Sequence, residues 1–267
     1  MKPREILIYY AIIHEGNWNK IYEALLSNEE FDEERAKRII ANPKSKVVTI
    51  LDEDEYPQQL KFIRKPPFVL FYHGDLSIIK DKFKAVSVVG SRDYTEYGEQ
   101  VTNYFVKHLC KELVIVSGMA RGIDGIAHRA CIANGGKTVA VLGCGINVCY
   151  PPKNLDIYDE ARKHHLVISE YPNLTQPNPL LFPIRNRIIA ALSNCLLVTE
   201  GERNSGTSIT AHLTLEDGGN VCCVPTRVGQ NSVCNHLIAN GACLVETPED
   251  VFYEMDYHKN ETAFPKI

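Results

Sequence analysis

Apolar runs of four or five residues alternate with amphipathic segments from Lys84 onward. Near-continuous apolar runs are typical of parallel strands that are buried on both faces, and the segments between them have the spacing of covering helices. We therefore predict an α/β fold with an extended Rossmann-like, doubly wound, mostly parallel sheet. The runs are Val86–Val89, Val114–Val116, Thr138–Leu142, Leu166–Ser169, Leu196–Thr199, Val221–Val224 and Ala242–Val245.

The first residues follow a different pattern. Pro3–Glu15, Asn17–Leu26 and Phe31–Ile40 have apolar residues at helical spacing, with a break at Gly16. This pattern predicts a small all-helical module over residues 1–45, preceding the sheet. Its charges are balanced, which leaves two interpretations open: a contact with nucleic acid, or a packing or dimerisation module.

Residues 46–84 are predicted to be a linker and first strands that lead into the core. Lys46–Leu51 is strand-like, Asp52–Glu55 is a solvated acidic face, and Pro66-Pro67 precedes another apolar run. We place the Rossmann-like domain, expected to bind DNA, at residues 85–255, and a tail at residues 256–267.

The composition narrows the function classes. Of the 267 residues, 45% are hydrophobic, but no apolar run is long enough to span a bilayer, and the first residues lack an apolar signal core. We therefore expect a cytoplasmic protein with no membrane contact. The nine cysteines include no C-x-x-C pair, which disfavours metal sites and disulfides. A net charge of −4 excludes a uniformly basic surface, so any anion site must be a local cluster.

The first candidate site is the turn Gly90-Ser91-Arg92, between the run Val86–Val89 and the amphipathic segment Thr95–Lys111. We expect it at or just before a helix N-terminus, where backbone N–H groups and Arg92 can hold a phosphate. Positions 92 and 95 are not glycine, so this is not the dinucleotide fingerprint. The alternative interpretation is a surface arginine after a tight turn.

Two further turns follow later strands. Gly118, Arg121 and Gly122 lie between a strand and a helix, and the glycines would let a backbone approach a ligand closely. Asp124 is expected to cap that helix. Gly145 and Lys153 follow the third strand, and we expect Lys153 to extend from the same rim.

The segment Leu181–Arg187 combines an aromatic ring with cations. Phe182 could stack on a base while Arg185, Asn186 and Arg187 hold the flanking phosphates. The two arginines lie about 200° apart on a helix, so both can face one ligand only in its first turn. Otherwise one of them is structural. The alternative interpretation of Phe182 is an ordinary core aromatic.

Ser205, Gly206 and Thr207 follow another strand and open a helix, where hydroxyl and amide groups could bind a phosphate. The alternative is that Ser205 or Thr207 is an ordinary N-cap. Hydrolytic signatures of the G-x-S-x-G and H-E-x-x-H types do not occur, and the histidines lack metal-ligand spacing. We expect no catalytic residue, no metal and no cofactor.

Taken together, the motifs resemble those of the DNA-processing protein A (DprA/Smf) family over residues 56–250. The motifs that carry the resemblance are Gly90–Arg92, Ser117–Asp124 with Ala127-His128, Gly143–Gly145 with Tyr150–Asn154, Ser169–Tyr171, Phe182–Ala190 and Ser205–Ala211. The resemblance implies a Rossmann-like fold, often preceded by a helical domain of the sterile-alpha-motif-like (SAM-like) kind. It also implies a homodimer without known catalysis that binds single-stranded DNA, protects incoming strands during natural transformation and homologous recombination, and loads the RecA recombinase.

The resemblance also implies residue roles. It places a phosphate in the Gly90–Arg92 turn, further contacts at Gly118, Gly122, Gly145 and Lys153, and a base contact at Phe182 next to Arg185. The chain departs from the family at Thr226, where many relatives have glycine, and it lacks a basic residue just before Phe182.

Two other functions remain open from the sequence. A nucleotide-processing, phosphoribohydrolase-like enzyme would use Glu200 and the Ser205–Thr207 turn, but only Gly206-Thr207 matches its Pro-Gly-Gly-x-Gly-Thr signature. A nicotinamide-dependent oxidoreductase is disfavoured because the dinucleotide fingerprint does not occur.

Overall fold

The computed structural model describes residues 1–41 and 44–261, with side chains as far as Met255. Within these residues one sheet contains nine strands. The strands are β1 (Lys46–Thr49), β2 (Val69–Gly74), β3 (Ala85–Val89), β4 (Val114–Ser117), β5 (Thr138–Val141), β6 (Leu166–Ser169), β7 (Cys195–Val198), β8 (Asn220–Cys223) and β9 (Cys243–Leu244). The helices are α1 (Pro3–Ile13), α2 (Trp18–Ser27), α3 (Glu33–Ile40), α4 (Glu96–Leu109), α5 (Ile123–Ala133), α6 (Leu155–His164), α7 (Leu181–Ala191), α8 (Gly206–Glu216), α9 (Val233–Ala239) and α10 (Pro248–Glu261).

The strand order is β1-β2-β6-β5-β4-β3-β7-β8-β9, and β3 to β9 pair in parallel. This confirms the prediction of a doubly wound, mostly parallel sheet. From β3 the chain runs outward through β4, β5 and β6, then returns to the other side of β3 with β7. The direction of winding reverses at β3, and in such sheets ligands bind in the crevice beyond the carboxyl ends of the strands at this point.

Helices cover both faces of the parallel sheet. Val86 and Val88 of β3 pack with α4, α5 and α10, whereas Ala85 and Val89 pack on the opposite face with α7, α8 and α9. Successive strand residues point to opposite faces, so a strand that is covered on both sides is apolar throughout. This explains the continuous apolar runs in the sequence.

The helices predicted for the first residues are present and pack directly on the sheet. Tyr10 of α1 and Ala36 of α3 share a buried cluster with Phe71 of β2. The Trp18 indole N–H donates to the carbonyl of Pro66 at 2.8 Å. The N-terminal helices and the β2 end of the sheet therefore have a common apolar core.

The remaining segments add detail to the sequence expectations. The stretch predicted to hold a linker and first strands contains β1 and β2, which extend the sheet beyond β6. Strand β2 pairs antiparallel with β6, and β1 pairs antiparallel with β2. Helix α10 runs to Glu261, beyond the expected end of the domain at residue 255, and residues 262–267 of the expected tail lie outside the described residues.

All nine cysteines lie within the described part and are free thiols. In that part, no helix is long and apolar enough to cross a membrane.

Candidate nucleic-acid interface

Three connections meet beyond the carboxyl ends of β3, β4 and β7. The backbone N–H of Ser91, after β3, donates to the carbonyl of Glu200, after β7, at 2.8 Å. The carbonyl of Ser91 accepts from the N–H of Ile123, at the start of α5, at 3.1 Å. Gly90 lies so close to Glu200 that a Cβ there would be 2.5 Å from its carbonyl oxygen. The crevice at the winding reversal is thus lined by connections that are bonded to each other.

The turns after β3 and β4 interlock at Gly122. This residue has a φ of +82°, and a Cβ at its position would collide with the backbone of Ser91 and Arg92. Only glycine fits both the conformation and the close approach. The side chains of Arg92 and Arg121 extend from the interlocked turns into solvent, and Arg121 lies 3.4 Å from the carboxylate of the exposed Asp93.

The turn Gly90–Arg92 lies just before α4, as predicted, but two of the amides at the helix start are already bound. Helix α4 begins at Glu96, and the hydroxyl of its N-cap Thr95 accepts from the N–H of Gly98 at 3.2 Å. Glu200 Oε2 accepts from the N–H of Thr95 at 2.9 Å. Thr95 and Glu200 thus bind the N–H groups of Gly98 and Thr95 within the protein, which corrects the expectation that these amides are available to a phosphate. What this turn directs outward is the side chain of Arg92.

Three side chains, Tyr150, Phe182 and Arg92, form a stack that we call the aromatic–arginine stack. The rings of Tyr150 and Phe182 have centroids 5.6 Å apart and planes inclined by 17°. The guanidinium carbon of Arg92 lies 5.7 Å from the centroid of the Phe182 ring. Phe182 is half-buried and packs on Gly143, where a Cβ would lie 2.6 Å from the ring. The stack therefore combines aromatic surface with a fixed positive charge.

Lys153 is exposed on a neighbouring segment, as the sequence predicts for this rim. It lies in a short 3₁₀ turn, Pro152–Asn154. The buried Asn154 amide donates to the carbonyls of Met119 and Ala120 at 3.0 and 3.1 Å. These bonds hold the turn that carries Lys153 against the turn that precedes Arg121.

Arg185 lies beneath the crevice and is only 4% exposed. Its Nη1 donates to the carbonyls of Gly118, at 2.6 Å, and Val141. Burial lowers the pKa of Arg185 to about 10, against the opposing effect of the Asp124 carboxylate, so the guanidinium is charged at neutral pH. Burial also raises the pKa of Asp124.

The neighbours of Arg185 also face inward. Arg185 Nε donates to Asn186 Oδ1 at 3.2 Å, and Asn186 Nδ2 donates to the carbonyl of Gly206 at 3.4 Å. Arg187 forms a buried ion pair with Glu170 at 2.6 Å. These contacts correct the expectation that Arg185, Asn186 and Arg187 reach phosphates, because all three side chains are buried and their hydrogen bonds run to protein oxygens.

Two predicted backbone contacts are also used within the protein. The N–H of Gly118 donates to Asp124 Oδ2 at 3.1 Å, and that of Gly145 donates to the carbonyl of Thr175 at 2.8 Å. Both glycines are buried. The expected phosphate contacts at Gly118 and Gly145 are therefore corrected. So is the expected role of Asp124, which binds the amides of the turn after β4 while Gly122 is the N-cap of α5.

The first turn of α8 is more open. Ser205 is its N-cap, but within the described residues its side chain makes no capping bond and its Oγ has no hydrogen-bond partner. At Gly206, an added Cβ would have its nearest neighbour 4.0 Å away, at Asn186 Nδ2, and the Thr207 side chain is buried against Gly201. A helix N-terminus without a side-chain cap can receive an anion.

Sequence reasoning did not select Tyr150 or Asp93. In the sequence, Tyr150 was visible only as part of a proline-rich turn after the third strand. This turn and Phe182 lie at the same edge of the sheet. Asp93 follows Arg92 directly, and its carboxylate places a negative charge beside Arg121. Both residues change the charge or the stacking surface of the crevice.

Comparisons with known proteins identify the family of this chain. The family described as DNA recombination-mediator protein A matches residues 46–256. The DNA processing protein DprA of Streptococcus pneumoniae is 43% identical over 211 residues, 78% of this chain and 74% of that protein. The protein of the same name from Bacillus subtilis is 38% identical over 243 residues, 89% of this chain and 82% of that one.

Solved structures show the same fold. The X-ray structure of the Streptococcus pneumoniae protein superposes with a TM-score of 0.79 at 39% identity, covering 88% of this chain and 81% of that one. A structure of DNA processing protein A from Helicobacter pylori, described for its single-stranded DNA binding mode, has a TM-score of 0.71 at 24% identity and covers 82% and 98% of the two chains. The chain belongs to the DNA recombination-mediator protein A family.

Proposed function

We propose that this protein binds single-stranded DNA in the crevice beyond β3, β4 and β7. The observation that carries the proposal is the aromatic–arginine stack, in which the ring of Phe182 lies beside the ring of Tyr150 and within 5.7 Å of the guanidinium carbon of Arg92. Proteins that bind single strands stack bases on aromatic side chains and place cations along the backbone. A duplex keeps its bases stacked on each other, so this surface favours unpaired strands.

The charges around the stack support a backbone path. Arg92, Arg121 and Lys153 are exposed, although the chain as a whole has a net charge of −4. The first turn of α8, from Ser205 to Thr207, adds amide donors that no side chain of the described residues caps. In this proposal Gly90, Ser91 and Gly122 shape the turns. The side chains of Arg92, Arg121 and Lys153 hold phosphates.

Family membership supports a more specific role. We infer that the protein covers incoming single strands and loads the RecA recombinase on them, acting in the cytoplasm as a homodimer and without a catalytic step of its own. The family is described as a recombination mediator, and the similar proteins are named for DNA processing. A mediator needs a surface that holds a strand without reading its sequence, and stacking on an aromatic ring is tolerant of sequence.

Binding is tested with a fluorescent oligo-dT and a matching duplex, titrated over a series of salt concentrations. We expect preferential binding of the single strand by the native protein. Arg92→Ala should weaken binding of every sequence alike and reduce the slope of log affinity against log salt by about 0.7, the value for one lost phosphate contact.

Arg162→Ala is the matched control. Arg162 is also exposed and also lies over an aromatic ring, 5.2 Å from the centroid of Tyr158, but on α6. It should leave affinity and slope unchanged. If the native protein does not bind single strands at low salt, or if Arg92→Ala does not change the slope, the proposal is wrong.

The mediator role needs separate measurements. On a strand already covered by single-strand-binding protein, the native protein should increase RecA-dependent ATP hydrolysis, and Arg92→Ala should increase it less. Sedimentation equilibrium should give twice the mass of one chain, which is 30.0 kDa. A monomer would contradict the homodimer, and an unchanged ATPase rate would contradict RecA loading.

A further inference from the structure

We propose that Arg185 is a positioning residue of this interface, which sets the relative places of the strand-contacting segments from below without touching the strand. The inference rests on the proposed binding of single-stranded DNA. The residue type and its place after Phe182 predicted a ligand for phosphate, but the side chain is 4% exposed and is directed into the protein.

Arg185 connects separate elements through one planar group. Its Nη1 bonds the carbonyls of Gly118, in the turn after β4, and of Val141, at the end of β5. Its Nε bonds Asn186, which bonds the carbonyl of Gly206 at the start of α8. The guanidinium has five N–H donors in a fixed planar arrangement, which suits it to hold several acceptors at once.

The turn after β4 is held from two sides by the side chains of Asp124 and Arg185. Asp124 accepts from the N–H groups of Gly118 and Ala120, while Arg185 donates to the carbonyl of Gly118. A Cβ at Gly118 would lie 2.7 Å from Arg185 Nη2 and 2.7 Å from Asp124 Oδ2. The backbone of Gly118 therefore lies between the buried guanidinium of Arg185 and the buried carboxyl group of Asp124, and both the N–H and the C=O of this residue are fixed.

These segments carry the strand contacts of the proposed function. Phe182 lies in the first turn of α7, one helical turn before Arg185. Arg121 follows the turn that contains Gly118, and Gly206 opens the uncapped first turn of α8. Loss of the guanidinium would let the ring, the exposed arginine and the α8 amides move independently, and small misplacements in a preorganised site reduce binding.

Arg185→Lys tests this inference. Lysine keeps the positive charge, but its single ammonium group cannot reproduce the planar bonds to Gly118, Val141 and Asn186. We expect the affinity for oligo-dT to fall about tenfold while the salt slope stays at the native value, because the number of phosphate contacts is unchanged. Arg92→Ala should instead reduce the slope.

A second variant probes the link to α8. Asn186→Ala alone should weaken binding by a smaller factor, about threefold, and should add little to Arg185→Lys, because both remove the same connection. Circular dichroism melting establishes whether Arg185→Lys folds, and if it does not, Asn186→Ala alone carries the test with the same two readouts.

The outcomes separate the possibilities. Arg185→Gln removes the positive charge, and a salt slope reduced as in Arg92→Ala would identify Arg185 as a direct phosphate ligand and overturn the positioning role. Native affinity in folded Arg185→Lys would overturn it as well and leave the proposed function standing. Failure of the native protein itself to bind single strands would overturn both.

Discussion

The cations on the rim of the crevice and the two arginines beneath it differ in what they face. Arg92, Arg121 and Lys153 are exposed, whereas Arg185 and Arg187 bond to backbone carbonyls, Asn186 and Glu170. The residue type alone indicates affinity for anions. The comparison teaches that burial and nearby acceptors decide whether an arginine is available to a ligand or serves the protein itself.

The largest predicted effect is a loss of stability when the buried ion pair Arg187–Glu170 loses one member. Arg187→Met should lower the free energy of unfolding by about 3–5 kcal/mol, because the buried carboxylate of Glu170 is left without its partner. Urea denaturation measures this loss. Adding Glu170→Gln should restore part of it, and Arg121→Met on the rim should change stability little. A loss below about 1 kcal/mol would show that the Arg187–Glu170 pair contributes no more to stability than an exposed ion pair.

The next largest effect is a loss of affinity for oligo-dT when the aromatic–arginine stack loses Phe182. Phe182→Ala should weaken binding of oligo-dT by about 1–3 kcal/mol, the usual contribution of one stacked base. Fluorescence anisotropy measures the change. Phe62→Ala is the matched control, since Phe62 is 85% exposed outside the stack and should leave affinity unchanged. If both variants bind alike, the ring of Phe182 has only a packing role.

The buried His128 should make the stability of the protein depend on pH. Burial, with a contribution from Arg129, lowers the pKa of His128 to about 3, below the ordinary value near 6.5. The unfolded chain therefore takes up this proton first as pH falls, and the stabilising contribution of neutral His128 is lost progressively from about pH 6.5 towards pH 3.

Between about pH 7.5 and pH 5.5 this loss amounts to about 1.4 kcal/mol. Urea denaturation of the native protein and of His128→Gln at both pH values isolates it, because other titrating groups are common to both. His236→Gln, at an exposed position, should follow the native protein. Equal pH dependence in all three proteins would contradict the prediction.

The smallest effect is expected at the exposed pair Arg121–Asp93. The two side chains are 59% and 84% exposed, so Asp93→Asn should change the free energy of unfolding by less than about 1 kcal/mol. Removal of the negative charge should raise affinity for oligo-dT about twofold at low salt, and this gain should fade as salt rises. Weaker binding by Asp93→Asn would show that Asp93 helps to position Arg121.

The strands and most helices could be predicted from the sequence because their signals are local. The apolar runs that became β3 to β8 were placed to within about one residue. The turns after β3 and β4 could also be recognised, since glycine and arginine occur together at the end of a strand in each.

The orientation of the arginines in α7 could not be predicted, because their partners are distant in sequence. Helical spacing places Arg185 and Arg187 on different sides of α7 but does not indicate what covers each side. Arg187 meets Glu170, 17 residues away, and the carbonyl of Lys65, 122 residues away. The same holds for the cap of α4, where Glu200 reaches Thr95 over 105 residues.

The interlock of Gly122 with Ser91 and Arg92 has a consequence for the energetics of association. Two turns that are bonded to each other, and to the connection after β7, enter a complex already in place, so the protein loses little conformational freedom when it binds. The entropy lost on binding is then mainly that of the flexible nucleic acid. Affinity should accordingly decline when the strand is made more flexible.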